Sequence, residues 1–134
     1  MKSFDNVNVE LAGNSYFDGA VTSRTVNFAD GSKKTLGFML PGEYEFGTAA
    51  AELMEITSGE LEVKLPNSET WVVIKGGESF NVPAESKFQV NVKKITDYCC
   101  SYLYNIEEGN KVHNYSTISY YNTNMKATKV SLPF

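Results

Sequence analysis

The chain has 134 residues, a formal net charge of −4 and an apolar fraction of 42%. These values describe one globular domain, large enough to build a core without disulfide or metal staples. The negative charge speaks against a nucleic-acid backbone or an anionic membrane as partner, and no apolar run is long enough to span a bilayer. The N-terminus lacks the charged-then-apolar pattern of a signal peptide, so a reducing cytoplasm is the expected location. Arg24 is the only arginine, so a phosphate-like ligand would be held by backbone amides, a lysine or Arg24.

Residues 1–13 form a polar lead-in with one alternating patch, Val7, Val9 and Leu11. From residue 14 onward, short alternating runs are cut by Gly, Pro, Asn and Asp, the pattern of an all-β protein. "GAVTSRTVNF" leads through the turn "ADGS" to "KTLGFMLPG" and "EYEFGT". Lys33 and Lys34 follow that turn and are expected at a hairpin tip. "TAAAELMEI" has helix-favouring alanines but is barely two turns long and lies between strand-like runs, so it reads as a bent loop feeding a strand. In "GELEVKL", Leu61, Val63 and Leu65 face one way and Glu60, Glu62 and Lys64 the other, a strand with one wet face. "PNSETW" reads as a turn, with Trp71 expected to anchor the next strand in the core. "WVVIKGGESFNVP", "SKFQVNVKK" and "DYCCSYLY" complete the series, and many short strands at regular spacing predict a sandwich or small barrel. Cys99 and Cys100 are adjacent, so on a strand they point to opposite faces and are poorly placed to bridge each other; one buried and one half-buried thiol are expected. Residues 105–134 change composition towards Asn, Ser, Thr and Tyr. They are read as a C-terminal extension, an added hairpin or arm beyond a core domain of residues 1–104, with "STISYY" and "TKVSLPF" strand-like.

The stretch "YEFGTAAAELMEITSGE" resembles the front half of a cupin motif, in which His-x-His is followed by Glu and then, seven residues on, by Gly. Counting back from Gly59 gives Glu52, then Thr48 and Phe46 at the two histidine positions. In the second half of the motif, Gly77, Pro83 and Phe88 stand where Gly, Pro and a third His are usual. The spacing is that of the barrel, whereas the imidazoles a protein-bound transition metal needs are gone; Glu52 alone does not hold one. No metal cofactor is expected.

A closer resemblance is carried by "NSYFDGAV" (14–21), "GFMLPGEYEFGTAAAELMEITSGELEVKLP" (37–66), Trp71, "GGESFNVPAESKFQV" (76–90) and "DYCCSYL" (97–103). Together these are similar to the pyrimidine/purine nucleoside phosphorylases, small metal-free cupins. The resemblance implies a jelly-roll barrel, commonly a homodimer, that cleaves nucleosides with inorganic phosphate as co-substrate to free base and ribose 1-phosphate. Where that family often reads Cys-Arg-Tyr-Leu, this chain has Cys100, Ser101, Tyr102 and Leu103. The residues after Tyr104 have no counterpart in the usual short members.

Phosphorolysis needs a nucleophile held beneath the anomeric carbon, stabilisation of positive charge developing on the sugar, and a proton or hydrogen bond for the departing base. Alternation from the motif turns Tyr44, Phe46 and Thr48 to one wall, followed by Glu52, Met54 and Ile56, with Phe88 and Val90 on another and Tyr98, Cys100 and Tyr102 opposite. Such a pocket is aromatic with few polar groups, the usual character of a small-ligand site. The rings of Tyr44, Phe46 and Phe88 are candidate platforms for a base of any kind, with plain core as the alternative for Phe46 and Phe88. Glu52 is a candidate to bind ribose hydroxyls or steady the oxocarbenium-like charge, and Tyr98 or Tyr102 to donate to base or phosphate. Arg24 is a candidate substrate ligand whose plainer reading is a solvated strand charge. Two rival functions remain at this point: a cupin that binds a nucleoside or nucleotide-like ligand without turnover, and a barrel simply filled by side chains.

Overall fold

The computed structural model describes residues 2–103 and the backbone of two further short strands at 106–108 and 111–113. The described residues form strands and turns, with no helix long and apolar enough to cross a membrane among them. In chain order the strands are β1 (Asn8–Val9), β2 (Asn14–Tyr16), β3 (Val21–Asn27), β4 (Lys33–Met39), β5 (Gly42–Thr48) and β6 (Ala51–Ser58). They continue with β7 (Glu60–Lys64), β8 (Trp71–Lys75), β9 (Ser79–Val82), β10 (Ser86–Val92) and β11 (Thr96–Leu103), then β12 (Ile106–Glu108) and β13 (Lys111–His113). One antiparallel sheet runs β1-β3-β4-β11-β6-β9, with β2 also paired to β3; the other runs β5-β10-β7-β8. Side chains from both sheets merge into one core that includes Met39, Phe46, Met54, Leu61, Phe88 and Tyr98. This is a two-sheet arrangement of the kind the alternating runs predict, in the jelly-roll form that the resemblance implies.

In β7 the alternation appears as expected. Leu61 and Val63 are buried while Glu60, Glu62 and Lys64 are partly exposed. "TAAAELMEI" bends at residues 49–50 and runs on as β6. The motif glycine Gly59 has φ of 103°, and a Cβ there would stand 2.6 Å from the Ile95 carbonyl oxygen and 2.7 Å from Thr96 Cα. Only glycine meets both demands, which explains why the turn from β6 to β7 is fixed in the sequence.

Three expectations need correction. Trp71 is not a core anchor: it lies 40% exposed on β8, an edge strand paired only with β7. Its partner in register is Lys64, which turns it to the wet face, with Lys64 Nζ 5.8 Å from the indole centroid. Cys99 and Cys100 are both buried, at 5% and 0% exposure, and both are free thiols. Cys99 does face away from the core, but its strand neighbours Leu36 and Glu55 flank it. The lead-in contributes only the two residues of β1, and Leu11 is 95% exposed. Lys34 lies inside β4 rather than at the tip, its Nζ 5.5 Å from the Phe4 ring. In the extension, β12 and β13 pair as an antiparallel hairpin; "STISYY" and "TKVSLPF" lie outside the described residues.

Candidate active site

The smaller sheet supplies an aromatic wall. Phe46 on β5 stands opposite Phe88 on β10, and Tyr44 opposite Val90. The Phe46 and Phe88 ring centroids are 5.4 Å apart, Phe88 and Phe80 6.0 Å, and Tyr44 and Phe46 6.0 Å in a nearly parallel stack. These spacings lie within the range of favourable ring pairs. Tyr44 is pinned by donating its hydroxyl to the Leu40 carbonyl at 2.7 Å.

The larger sheet supplies the polar wall. Inward alternation on β11 presents Tyr98, Cys100 and Tyr102, while β6 brings Glu52 opposite Tyr102 and Met54 opposite Cys100. On the other side of β11, Thr35 stands opposite Cys100. Glu52 is 2% exposed, and its Oε1 has no hydrogen-bond partner among the described residues. Burial therefore holds its carboxyl well above the usual carboxylate range, a hydrogen bond with Cys100 opposing this only in part. The same burial, with the neighbouring acids Cys100 and Glu52, pushes Tyr98 and Tyr102 far up as well. Burial thus favours the uncharged forms of these groups, which can donate protons at positions where charged ones could only accept them. The Thr35, Tyr16 and Ser101 hydroxyls are also buried without a well-formed hydrogen bond, although Thr35 lies beside Cys100 and Tyr102 and Tyr16 beside Ser23. Unsatisfied polar atoms of this kind are rare inside proteins and need an explanation.

Tyr98 is positioned by an irregularity of the β3–β4 ladder, which passes from Val21↔Met39 to Arg24↔Leu36. Between those pairs the Phe38 amide donates to Thr22 Oγ1, at 3.3 Å, rather than to a backbone carbonyl. The Thr22 carbonyl instead accepts the Tyr98 hydroxyl at 2.8 Å. Gly37 makes room for it: a Cβ at that position would fall 1.7 Å from the Thr22 carbonyl oxygen.

The turn from β2 to β3 brings in residues whose chemistry was not read from the sequence. Phe17 and Asp18 have φ of 53° and 57°, and the Gly19 amide closes the turn on the Tyr16 carbonyl at 3.1 Å. A bulky side chain in this region is a genuine outlier, costing about 1–3 kcal/mol. Contacts offset that cost. The Phe17 ring lies 5.0 Å from Tyr44 and 6.0 Å from Phe46, while Tyr16 packs against the core beside it. Ser23 and Thr35 were also unforeseen; both are buried on the inner face, with Asn14 Nδ2 donating to Ser23 Oγ at 3.2 Å.

Of the sequence-derived candidates, the structure brings together Glu52, Tyr98, Tyr102, Tyr44, Phe46 and Phe88 inside the barrel. Thr48 is buried at one end, its hydroxyl donating to the Pro83 carbonyl at 2.8 Å and accepting from the Ser86 amide at 3.1 Å. It ties β5 to the turn after β9. Arg24 is not brought to the cluster. It is exposed on the outer face of the large sheet, in a surface groove of about 590 Å³ that also includes Asn14, Thr22, Phe38 and Asp97. Ser101 also faces outward, between Lys34 and Leu53. Its departure from the common family sequence therefore falls outside the cluster. Among the described residues, no three His, Cys, Asp or Glu side chains converge as a metal site.

This architecture is a cupin-type fold: a solved cupin superfamily structure from Desulfitobacterium hafniense shares it over 63% of this chain and 78% of its own, with a TM-score of 0.54 at 17% identity. The family model described as pyrimidine/purine nucleoside phosphorylase matches residues 11–102, and the chain belongs to that family. A relative from Sulfurovum sp. with that name is 85% identical over 103 residues, covering 77% of this chain and 100% of the relative. One from Hydrogenovibrio crunogenus is 62% identical over 103 residues, covering 77% and 99%. The crystal structure of an Acinetobacter protein of unknown function is 42% identical, with a TM-score of 0.73 over 75% of this chain and 98% of its own.

Proposed function

We propose that this chain is a nucleoside phosphorylase of broad base tolerance, converting a purine or pyrimidine nucleoside and phosphate into free base and ribose 1-phosphate. The observation that carries this is the buried carboxyl of Glu52, set with Tyr98 and Tyr102 against an aromatic wall, in a chain 85% identical over 103 residues to the whole of a relative bearing that name. A phosphate oxygen attacks the anomeric carbon. The glycosidic C–N bond breaks, and its electron pair leaves with the base, which takes up a proton. Glu52, held protonated by burial, is suited to donate that proton, and its carboxylate then faces the positive charge on the sugar. Tyr102, opposite Glu52 in register, is placed to donate to the base or the phosphate, and Tyr98 acts from the position Thr22 gives it. Tyr44, Phe46 and Phe88 bear on the base; Thr48 shapes that end of the wall.

Phosphate enters as co-substrate, and we assign the chemistry to side chains without a metal. In this reading the protein is a cytoplasmic glycosyltransferase working as a homodimer on small molecules. The test is incubation of purified, chelator-treated protein with uridine, inosine, adenosine and guanosine, with and without phosphate. Free base released only with phosphate is the expected result. Release without phosphate, or none at all from folded protein, rejects the proposal. Light scattering on the eluting peak checks the dimer.

A further inference from the structure

We propose that the Tyr16–Phe17 turn is the nucleobase subsite and its closing element. A planar purine or pyrimidine base is taken between the Phe17 ring and the Tyr44–Phe46 wall. The identity of the ligand rests on the phosphorolysis reading; the site rests on its own geometry. Phe17 is 36% exposed, whereas the Tyr44 and Phe46 rings beneath it are buried, so Phe17 is the side chain that divides wall from solvent. A base between two rings needs roughly twice a stacking distance of ~3.5 Å, more than the 5.0 Å that now separates the Phe17 and Tyr44 centroids. Phe17 must therefore swing outward as a base enters. Its backbone favours that movement: at a φ of 53° the residue is held where bulky side chains seldom stay, and it is held there by ring contacts that a base can replace. The adjacent Tyr16 hydroxyl lies beside Ser23 without a well-formed hydrogen bond, and a ring nitrogen or exocyclic group of a base completes the bonding of such a hydroxyl. A stacking platform reads the face of a base rather than its edge, so it accepts one ring or two.

Three variants test this: Phe17→Gly, which removes the ring and relieves the backbone; Phe17→Leu, which keeps bulk without an aromatic face; and Tyr16→Phe, which removes only the hydroxyl. Folding of each is checked by thermal melting and near-UV circular dichroism. Each is assayed for KM towards nucleoside and towards phosphate separately, and for binding of free adenine and uracil by equilibrium dialysis. Both Phe17 variants should raise the nucleoside KM and weaken base binding by about 5- to 150-fold, the range of one base–aromatic stack, while the phosphate KM stays constant. Tyr16→Phe should weaken the same two quantities by a smaller factor. Phe17-dependent base binding without phosphorolysis would uphold the subsite and reject the enzyme reading. Phosphorolysis with nucleoside KM and base binding unchanged in both Phe17 variants overturns the subsite alone. A parallel shift of the phosphate KM overturns it too, as does wild-type protein that neither binds base nor turns over nucleoside.

Discussion

Replacing Glu52 by Gln removes one proton-binding site while keeping side-chain volume and a neutral, hydrogen-bonding head. In the folded protein burial raises the Glu52 pKa well above the ordinary carboxylate value of 4.5; in the unfolded chain it titrates near that value. Between the two pKa values the native state holds one proton that the unfolded state has released. Stability then falls with rising pH by about 1.4 kcal/mol per unit. The contribution is fully present below the ordinary carboxylate pKa and is lost as pH climbs towards the folded one. The Gln variant lacks this contribution, so the wild-type-minus-variant difference should slope downward from pH ~5, by at most about 1.4 kcal/mol per unit, and level off once the pH passes the folded pKa. Urea unfolding of both proteins from pH 5 to pH 8 measures it, because all other groups cancel in the difference. Parallel curves would refute the reasoning, since they would mean that Glu52 is already ionised in the fold. If Glu52 is the acid for the departing base, the same variant should lower kcat by about 10²–10⁴-fold.

Gly37→Ala should destabilise by about 2–4 kcal/mol in urea unfolding, combining backbone overlap at the Thr22 carbonyl with loss of the Tyr98 hydrogen bond; a cost under 1 kcal/mol would show that the ladder irregularity is soft. Arg24→Ala should change stability by less than about 0.5 kcal/mol and leave the phosphate KM unchanged, because Arg24 projects from the outer face; a raised phosphate KM would move the phosphate to the outer groove. Burial raises the Cys99 thiol to about 11, so at pH 8 roughly one molecule in a thousand carries the thiolate. Neither cysteine should react with a disulfide reagent within minutes until the protein is unfolded, when two thiols per chain should appear. Phe88→Ala should cost about 3–5 kcal/mol by calorimetry, as expected for a fully buried ring touching Phe46 and Phe80.

What could be read from the sequence was set by local pattern. The alternation of Leu61 and Val63 needs only the pleat, and the spacing of Glu52 to Gly59 needs only the tight turn that Gly59 alone can make. The inner walls followed from the same counting, which is why Tyr44, Phe46, Glu52, Phe88, Tyr98 and Tyr102 meet. The misses depend on pairing. Trp71 was misplaced because nothing local says that its strand lies at a sheet edge. Cys99 was misjudged because its cover comes from β4 and β6, distant in the chain. Asp18-Gly19 signals the turn, but nothing local places Phe17 in it, since a left-handed bulky residue runs against the usual turn chemistry. Only the finished barrel shows what its ring touches.

The alternation of β11 separates two kinds of mutational freedom within eight residues. Tyr98, Cys100 and Tyr102 answer to the interior, where each change meets packed neighbours and raised pKa values. Asp97, Cys99, Ser101 and Leu103 answer to the exterior, to adjacent strands and to whatever shares that face. A substitution at position 101 therefore meets the flanking strands β4 and β6 rather than the interior cluster, and the strand acts as a partition between two surfaces that a mutation perturbs separately.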